Sequence, residues 1–168
     1  MTEPTAQSLG STGREVPPSL STLYREVILD HYRKPRNRGG LDGATHAITM
    51  NNPLCGDIIE LLLRVEGSHI AEARFLGRGC SISMASVSML TGRIAGKTLD
   101  EAVELSAKFT KLLHGDDSLL TDADLGDLRT LAGVSKFPVR IKCALLGWNC
   151  LEELAESGTA AGAGALAE

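Results

Sequence analysis

The stretch Ile58–Leu76, IIELLLRVEGSHIAEARFL, decides the fold. Ile59, Leu61, Leu63 and Val65 alternate with Ile58, Glu60, Leu62, Arg64 and Glu66. Successive strand residues point to opposite faces, so this is a strand with one clearly buried face. Gly67-Ser68 fits a two-residue hairpin turn with glycine first. Ile70 to Leu76 returns as the partner strand, with Ala71, Ala73 and Phe75 on one side. Upstream, Ala47 to Met50 suggests a short strand, which makes a meander of about three antiparallel strands. Downstream the period changes. From Ser81 to about Ile94 the chain is small and apolar nearly all round (Ile82, Met84, Ala85, Val87, Met89, Leu90), the pattern of a buried helix. Thr98 with Glu101 makes a capping box for a helix reaching about His114. Gly115 to Lys136 reads as an acidic connection with one helical turn near Asp124 to Leu131. Pro138 suits the first turn of a final helix running to about Ala155. Near the start, Ser21 or Thr22 can cap a first helix that Lys34-Pro35 ends. Its apolar face carries Leu23, Tyr24, Val27, Ile28 and Tyr32. Strands followed by helices, without βαβ alternation, indicate an α+β domain with helices packed on one sheet face.

The chain has 168 residues, of which 43% are hydrophobic, enough for one domain with a real core. That domain spans residues 19–157 and has no internal repeat. Residues 1–18 and 158–168 carry mostly small and polar residues and read as flexible tails. A net charge of −4 argues against a nucleic-acid binder. The basic run Arg33, Lys34, Arg36 and Arg38 is either a solvated loop or a docking patch for an acidic partner. No apolar run is long enough to span a bilayer, and the start lacks the pattern of a secretory signal. The expected location is therefore the cytoplasm, where thiols stay reduced. There, clustered cysteines more often mean metal or catalysis than disulfides.

The two flanks of the hairpin hold the chemistry. Before it, Asn51 to Asp57 reads NNPLCGD. Residues two apart on a strand share a side, so Cys55 and Asp57 can aim a soft sulfur and a hard oxygen at one point. Gly56 lets the backbone bend, and Pro53 holds the approach extended. After the hairpin, Cys80 follows glycines at a helix start, where exposed N–H groups favour a thiolate. Cys143 sits in the first turns of the last helix, behind Arg140 and Lys142, two cations able to offset negative charge. Cys55, Asp57, Cys80 and Cys143 thus make a candidate site for one metal ion, zinc by donor type, with Cys55 the reactive member. Against this, a buried cysteine is more often packing than ligand, and no CxxC pair is present. Cys150 lies about 10 Å along the helix from Cys143, too far to share an ion, and reads as packing beside Leu146 and Leu154. His31, His46, His69 and His114 read as structural or exposed.

Three blocks carry a resemblance: NNPLCGD (51–57), GRGCSISMAS (77–86) and FPVRIKCA (137–144), with YREVILDHYRKPR (24–36) before them. They resemble the signature blocks and first helix of the IscU/NifU-like iron–sulfur assembly proteins. Lys142, where the scaffold branch carries a histidine, and a longer connection before the Cys143 helix point to the SufU-like branch. Phe137-Pro138-Val139-Arg140 replaces the proline-rich chaperone-recognition block of the scaffold branch. The resemblance implies zinc held by Cys55, Asp57, Cys80 and Cys143. It also implies that Cys55 accepts persulfide sulfur from a SufS-type PLP-dependent cysteine desulfurase and stimulates its turnover. Arg140 is implied to steady the thiolate or persulfide, and a downstream iron–sulfur scaffold to be served. Two alternatives remain open: a scaffold assembling a transient [2Fe–2S] cluster on the same residues, and an interaction module with structural zinc.

Overall fold

The computed structural model describes residues 18–157. Strands β1 (His46–Asn52), β2 (Asp57–Glu66) and β3 (His69–Arg78) form one antiparallel sheet in chain order. Among the described residues four helices join it: α1 (Pro18–Arg33), α2 (Ser81–Ile94), α3 (Leu99–Leu113) and α4 (Pro138–Ser157). Two 3-10 stretches, Asp117–Thr121 and Ala123–Lys136, link α3 to α4. This is the expected α+β architecture.

The hairpin turn stands where expected. Glu66 pairs with His69, and Gly67 adopts φ +63°, which glycine takes without steric cost. Ile59, Leu61 and Leu63 are fully buried. The return strand departs from strict alternation. Val65 faces Ile70 while Arg64 faces Glu72, so Ala71 is an extra residue. One inserted residue inverts which side chains face inward. Ile70, Ala73 and Phe75 therefore enter the core and Ala71 is exposed, correcting the expectation that Ala71 shares a side with Ala73 and Phe75. The opposite sheet face is not bare either. Ala47, Leu62 and Leu76 make a second cluster there with Leu41 from the loop between α1 and β1. The outer edge of β3 is also occupied. The Phe75 amide and carbonyl bond to Asn37 and Gly39, and those of Ile70 bond to Lys97 and Gly96.

Helix α2 is the spine: every residue from Ile82 to Thr91 is buried. It packs against α1, α4 and β3. A Cβ at Gly147 of α4 would lie 2.8 Å from Val87, so these two helices approach closely. Trp148 tilts on Phe109 with ring centroids 5.3 Å apart, and its indole N–H donates to Ser86 Oγ at 3.2 Å. The capping box forms in both directions, each bond 3.0 Å long, between Thr98 and Glu101.

Other boundaries shift. Helix α1 begins at Pro18, not after a Ser21 or Thr22 cap, because proline suits a first helical turn. The expected tails, apart from Pro18, lie outside the described residues. His31 ties α1 inward, with Nδ1 2.8 Å from Ser88 Oγ and Nε2 3.2 Å from Asp127. Half of the basic run has internal work: Arg36 pairs with Asp30 at 2.5 Å, and Arg38 donates to the Gly77 carbonyl at 2.8 Å. Cys150 is fully buried, its Sγ 3.8 Å from the Ile59 carbonyl, and burial pushes its thiol up to about 12. Among the described residues no helix is long and apolar enough to cross a membrane.

The acidic connection is more ordered than a loop with one turn. Leu125, Leu128, Leu131 and Val134 are all buried in the main core. A kink at Gly126 (φ +52°, ψ −130°) separates two runs of 3-10 backbone. Leu128→Ala should therefore cost about 2–5 kcal/mol, the range for a buried leucine. Chemical denaturation of both proteins measures it; a loosely attached segment would show no difference.

Candidate metal centre

The β1–β2 connection is a tight turn, not an extended approach. Asn52 and Asp57 are the last paired residues, leaving 53–56 to reverse the chain. The Asn52 carbonyl accepts the N–H groups of Cys55 (3.2 Å) and Gly56 (2.9 Å). Gly56 has φ +72°, in the left-handed region that glycine favours, and nothing lies within 4 Å of its missing Cβ. This turn, and not strand periodicity, brings the Cys55 sulfur back over Asp57. Cys55 is half-buried, whereas Asp57 at the head of β2 is fully buried.

The end of β3 brings the second flank to the same place. Cys80 caps α2, its sulfur accepting the Ser83 N–H at 3.5 Å. Its own N–H donates to Asp57 Oδ1 at 3.0 Å, and its Sγ lies 3.8 Å from Asp57 Oδ2. Gly79 allows this approach. A Cβ there would lie 2.5 Å from Asp57 Oδ1 and 2.7 Å from Ser83 Oγ. From α4 comes Cys143, 2% exposed, its Sγ 2.9 Å from that of Cys55. Asn52 Nδ2 faces the same sulfur at 4.0 Å.

Of the four residues expected to share an ion, Cys55, Asp57 and Cys143 offer ligand atoms within 4.8 Å of one another. Cys80 falls outside that group: its Sγ reaches Asp57 Oδ2 at 3.8 Å but does not lie within the same distance of all the others. Zinc–sulfur bonds of about 2.3 Å in a tetrahedron place neighbouring ligand atoms about 3–4 Å apart. The donor types suit zinc, and Cys55, Asp57 and Cys143 lie close enough together to share one ion. Burial pushes the Cys143 thiol up, with the Cys55 thiol and Asp57 carboxylate beside it adding to the effect. A bound divalent cation would reverse that balance, because it favours thiolate. Arg140 is exposed on the first turn of α4, beside Phe137, Ser81 and Ile82 in a groove that also holds Tyr24 and Arg25. Among the described residues its guanidinium has no hydrogen-bond or ion-pair partner.

Three contributors escape the motif reading: Gly79, Ser83 and Asn52. Asparagine two residues before a turn amide signals a side-chain-to-backbone bond, and here Asn52 Oδ1 accepts the Leu54 N–H at 3.1 Å. Gly79 carries no such local signal, because its role depends on where Asp57 comes to lie, whereas Ser83 acts locally on Cys80, three residues before it.

Fold and site together define a small α+β domain with a thiol–carboxylate centre gathered at one end of its sheet. The chain belongs to the NifU-like N-terminal domain family, which matches residues 23–144. It is 50% identical over 138 residues to the zinc-dependent sulfurtransferase SufU of Bacillus subtilis (strain 168), covering 80% of this chain and 90% of that one. It is 42% identical over 134 residues to the iron–sulfur cluster assembly scaffold protein IscU of Streptococcus pyogenes serotype M1, covering 80% and 83%. Among solved structures, an iron–sulfur cluster assembly scaffold protein for the SUF system from Fervidobacterium islandicum superposes with TM-score 0.70 at 31% identity. That match covers 79% of this chain and 96% of the other.

Gly79→Ala should push Asp57 off its bond with the Cys80 amide. The expected result is a loss of about 10–100-fold in affinity for added Zn2+, the scale of a disturbed ligand support. Competition with a chromophoric chelator measures it, and unchanged affinity would show that the close contact at Gly79 has no bearing on the centre.

Proposed function

We propose that this protein is a zinc-dependent sulfur acceptor in iron–sulfur cluster assembly, with Cys55 taking persulfide sulfur from a cysteine desulfurase. The observation that carries this reading is the setting of Cys55. It is a half-exposed thiol on a glycine corner, with its sulfur 2.9 Å from the buried Cys143 and Asp57 behind it. The 50% identity to a protein named as a zinc-dependent sulfurtransferase supports the same reading.

Cys55, Asp57, Cys80 and Cys143 would hold the zinc. The bound ion supplies positive charge that keeps the three thiols as thiolates at neutral pH. The remaining work belongs to the chain. Cys55 leaves its place against Cys143 by rotation about the Gly56 corner. Its thiolate attacks the outer sulfur of the desulfurase persulfide. The sulfur–sulfur bond there breaks, and the desulfurase cysteine departs as a thiolate. Cys55 now bears the persulfide with its proton, and no net oxidation has occurred. Arg140, a cation without a partner among the described residues near the head of α4, steadies the anionic sulfur. Asp57, Cys80 and Cys143 are held by buried strand and helix ends and stay in place. The desulfurase is of the SufS type by the SufU-like signature, and a downstream iron–sulfur scaffold receives the sulfur in the cytoplasm.

A second reading, a scaffold for a transient [2Fe–2S] cluster on the same residues, is favoured by the 42% identity to the Streptococcus pyogenes protein. Anaerobic reconstitution with iron and sulfide, read by visible absorption, separates the two. For the first reading, Cys55→Ala should remove the persulfide found by peptide mass spectrometry after incubation with desulfurase and cysteine. Desulfurase turnover should then fall to its level without this protein. Full sulfur transfer by that variant would overturn the assignment.

A further inference from the structure

Three consecutive amides of the β1–β2 turn end on a single residue. The carbonyl of Asn52 accepts from Cys55 and Gly56, and its side-chain Oδ1 accepts from Leu54. The two bonds to the carbonyl survive any side chain at position 52. The third depends on the side-chain oxygen of residue 52, and Asn52 is only 7% exposed, so its amide is held in place. The turn itself is otherwise loosely held. The Leu54 side chain at its tip is 69% exposed, and open space surrounds Gly56. Among the described residues, the turn's hydrogen bonds run to Asn52 and, through the Cys55 sulfur, to Cys143.

We infer that the Asn52 side chain is a latch on the Cys55 turn. With the Leu54 amide on Oδ1, the Cys55 sulfur is held against that of Cys143. With that one bond broken, the Gly56 corner lets the tip lift and carries the thiol outward. Asn52 is then a positioning residue that acts through Cys55, setting how often the acceptor thiol is presented. Its neighbours do not share this freedom. Cys80 is fixed by the Asp57 carboxylate and the Ser83 amide, and Cys143 is buried in a helix. One asparagine therefore makes one of the three sulfurs mobile on demand. The meaning of the latch rests on Cys55 being the sulfur acceptor, but its test needs no desulfurase.

Metal-free, reduced full-length protein is alkylated with iodoacetamide, and the rate at each cysteine is followed by peptide mass spectrometry. Wild type is compared with Asn52→Ala, which removes the acceptor, and Asn52→Asp, which keeps an oxygen at the Oδ1 position. The expected result is a Cys55 rate raised about fivefold in Asn52→Ala, the scale of one lost hydrogen bond. Asn52→Asp should return the rate to near wild type. Cys80 and the fully buried Cys150 should keep their rates, and Cys143, whose sulfur Asn52 Nδ2 faces at 4.0 Å, should change less than Cys55. An unchanged Cys55 rate, equal acceleration at all four cysteines, or an Asn52→Asp variant as fast as Asn52→Ala would each overturn the latch. Amide exchange in the unaltered chain is an independent measurement. The Leu54 N–H should be as protected as that of Gly56, and exchange at the rate of an open loop would overturn the inference whatever the variants do. A working latch in a protein that takes no sulfur would instead sink the acceptor reading alone.

Discussion

A buried carboxylate needs partners, and the way Asp57 finds them organises this molecule. An ionised group taken out of water is stable only where hydrogen bonds or a cation replace its hydration. One oxygen of Asp57 accepts the amide that opens helix α2; the other faces the Cys80 sulfur. That pairing joins the first residue of β2 to the first turn of the central helix. It also fixes where the sheet can lie on the helices, because β2 and α2 both enter the core directly behind it. The same carboxylate stands between Cys80 on one side and Cys55 with Cys143 on the other. Sheet docking and the placing of Cys80 are consequently tied to one carboxylate.

The cluster has unequal members. Cys143 is helical and buried, Cys80 is a helix cap held by two hydrogen bonds, and Cys55 rides a turn. Chemically similar thiols are thereby separated by mechanics, not by residue type. A donor set with three anchored atoms and one on a pivot can hold a charged centre and still present a nucleophile. The NifU-like N-terminal domain provides the frame, while the turn residues Leu54 and Asn52 decide how tightly this chain holds the pivot.

Much of this was legible in the order of residues. The Gly67-Ser68 turn, the all-round apolar helix from Ser81, the Thr98–Glu101 box and the Pro138 start are local signals, and each forms where its chemistry places it. Of the four expected ligands, Cys55, Asp57 and Cys143 lie together, while Cys80 reaches the Asp57 carboxylate but stands outside that group. The misses have a common cause. Ala71 faces outward because an inserted residue is a property of two paired strands, invisible in either alone. The 117–136 segment hides its leucines behind aspartates and glycines, since 3-10 backbone does not follow the period of an α-helix. Cys55 meets Asp57 through a reversal closed by Asn52, where strand alternation suggested a straight run. Gly79 matters through a carboxylate more than twenty positions away in the chain.

The occupied border of β3 bears on how copies of this protein behave together. A sheet with bare outer strands invites hydrogen bonding by another polypeptide, the first step of ribbon-like aggregation. Here Asn37 and Gly39 close one half of that border, while Gly96 and Lys97 close the other. The displaced Ala71 between them adds local twist. Growth by strand addition on that side is blocked by the chain's own backbone. Main-chain geometry thus guards the β3 border, independently of the modest net charge.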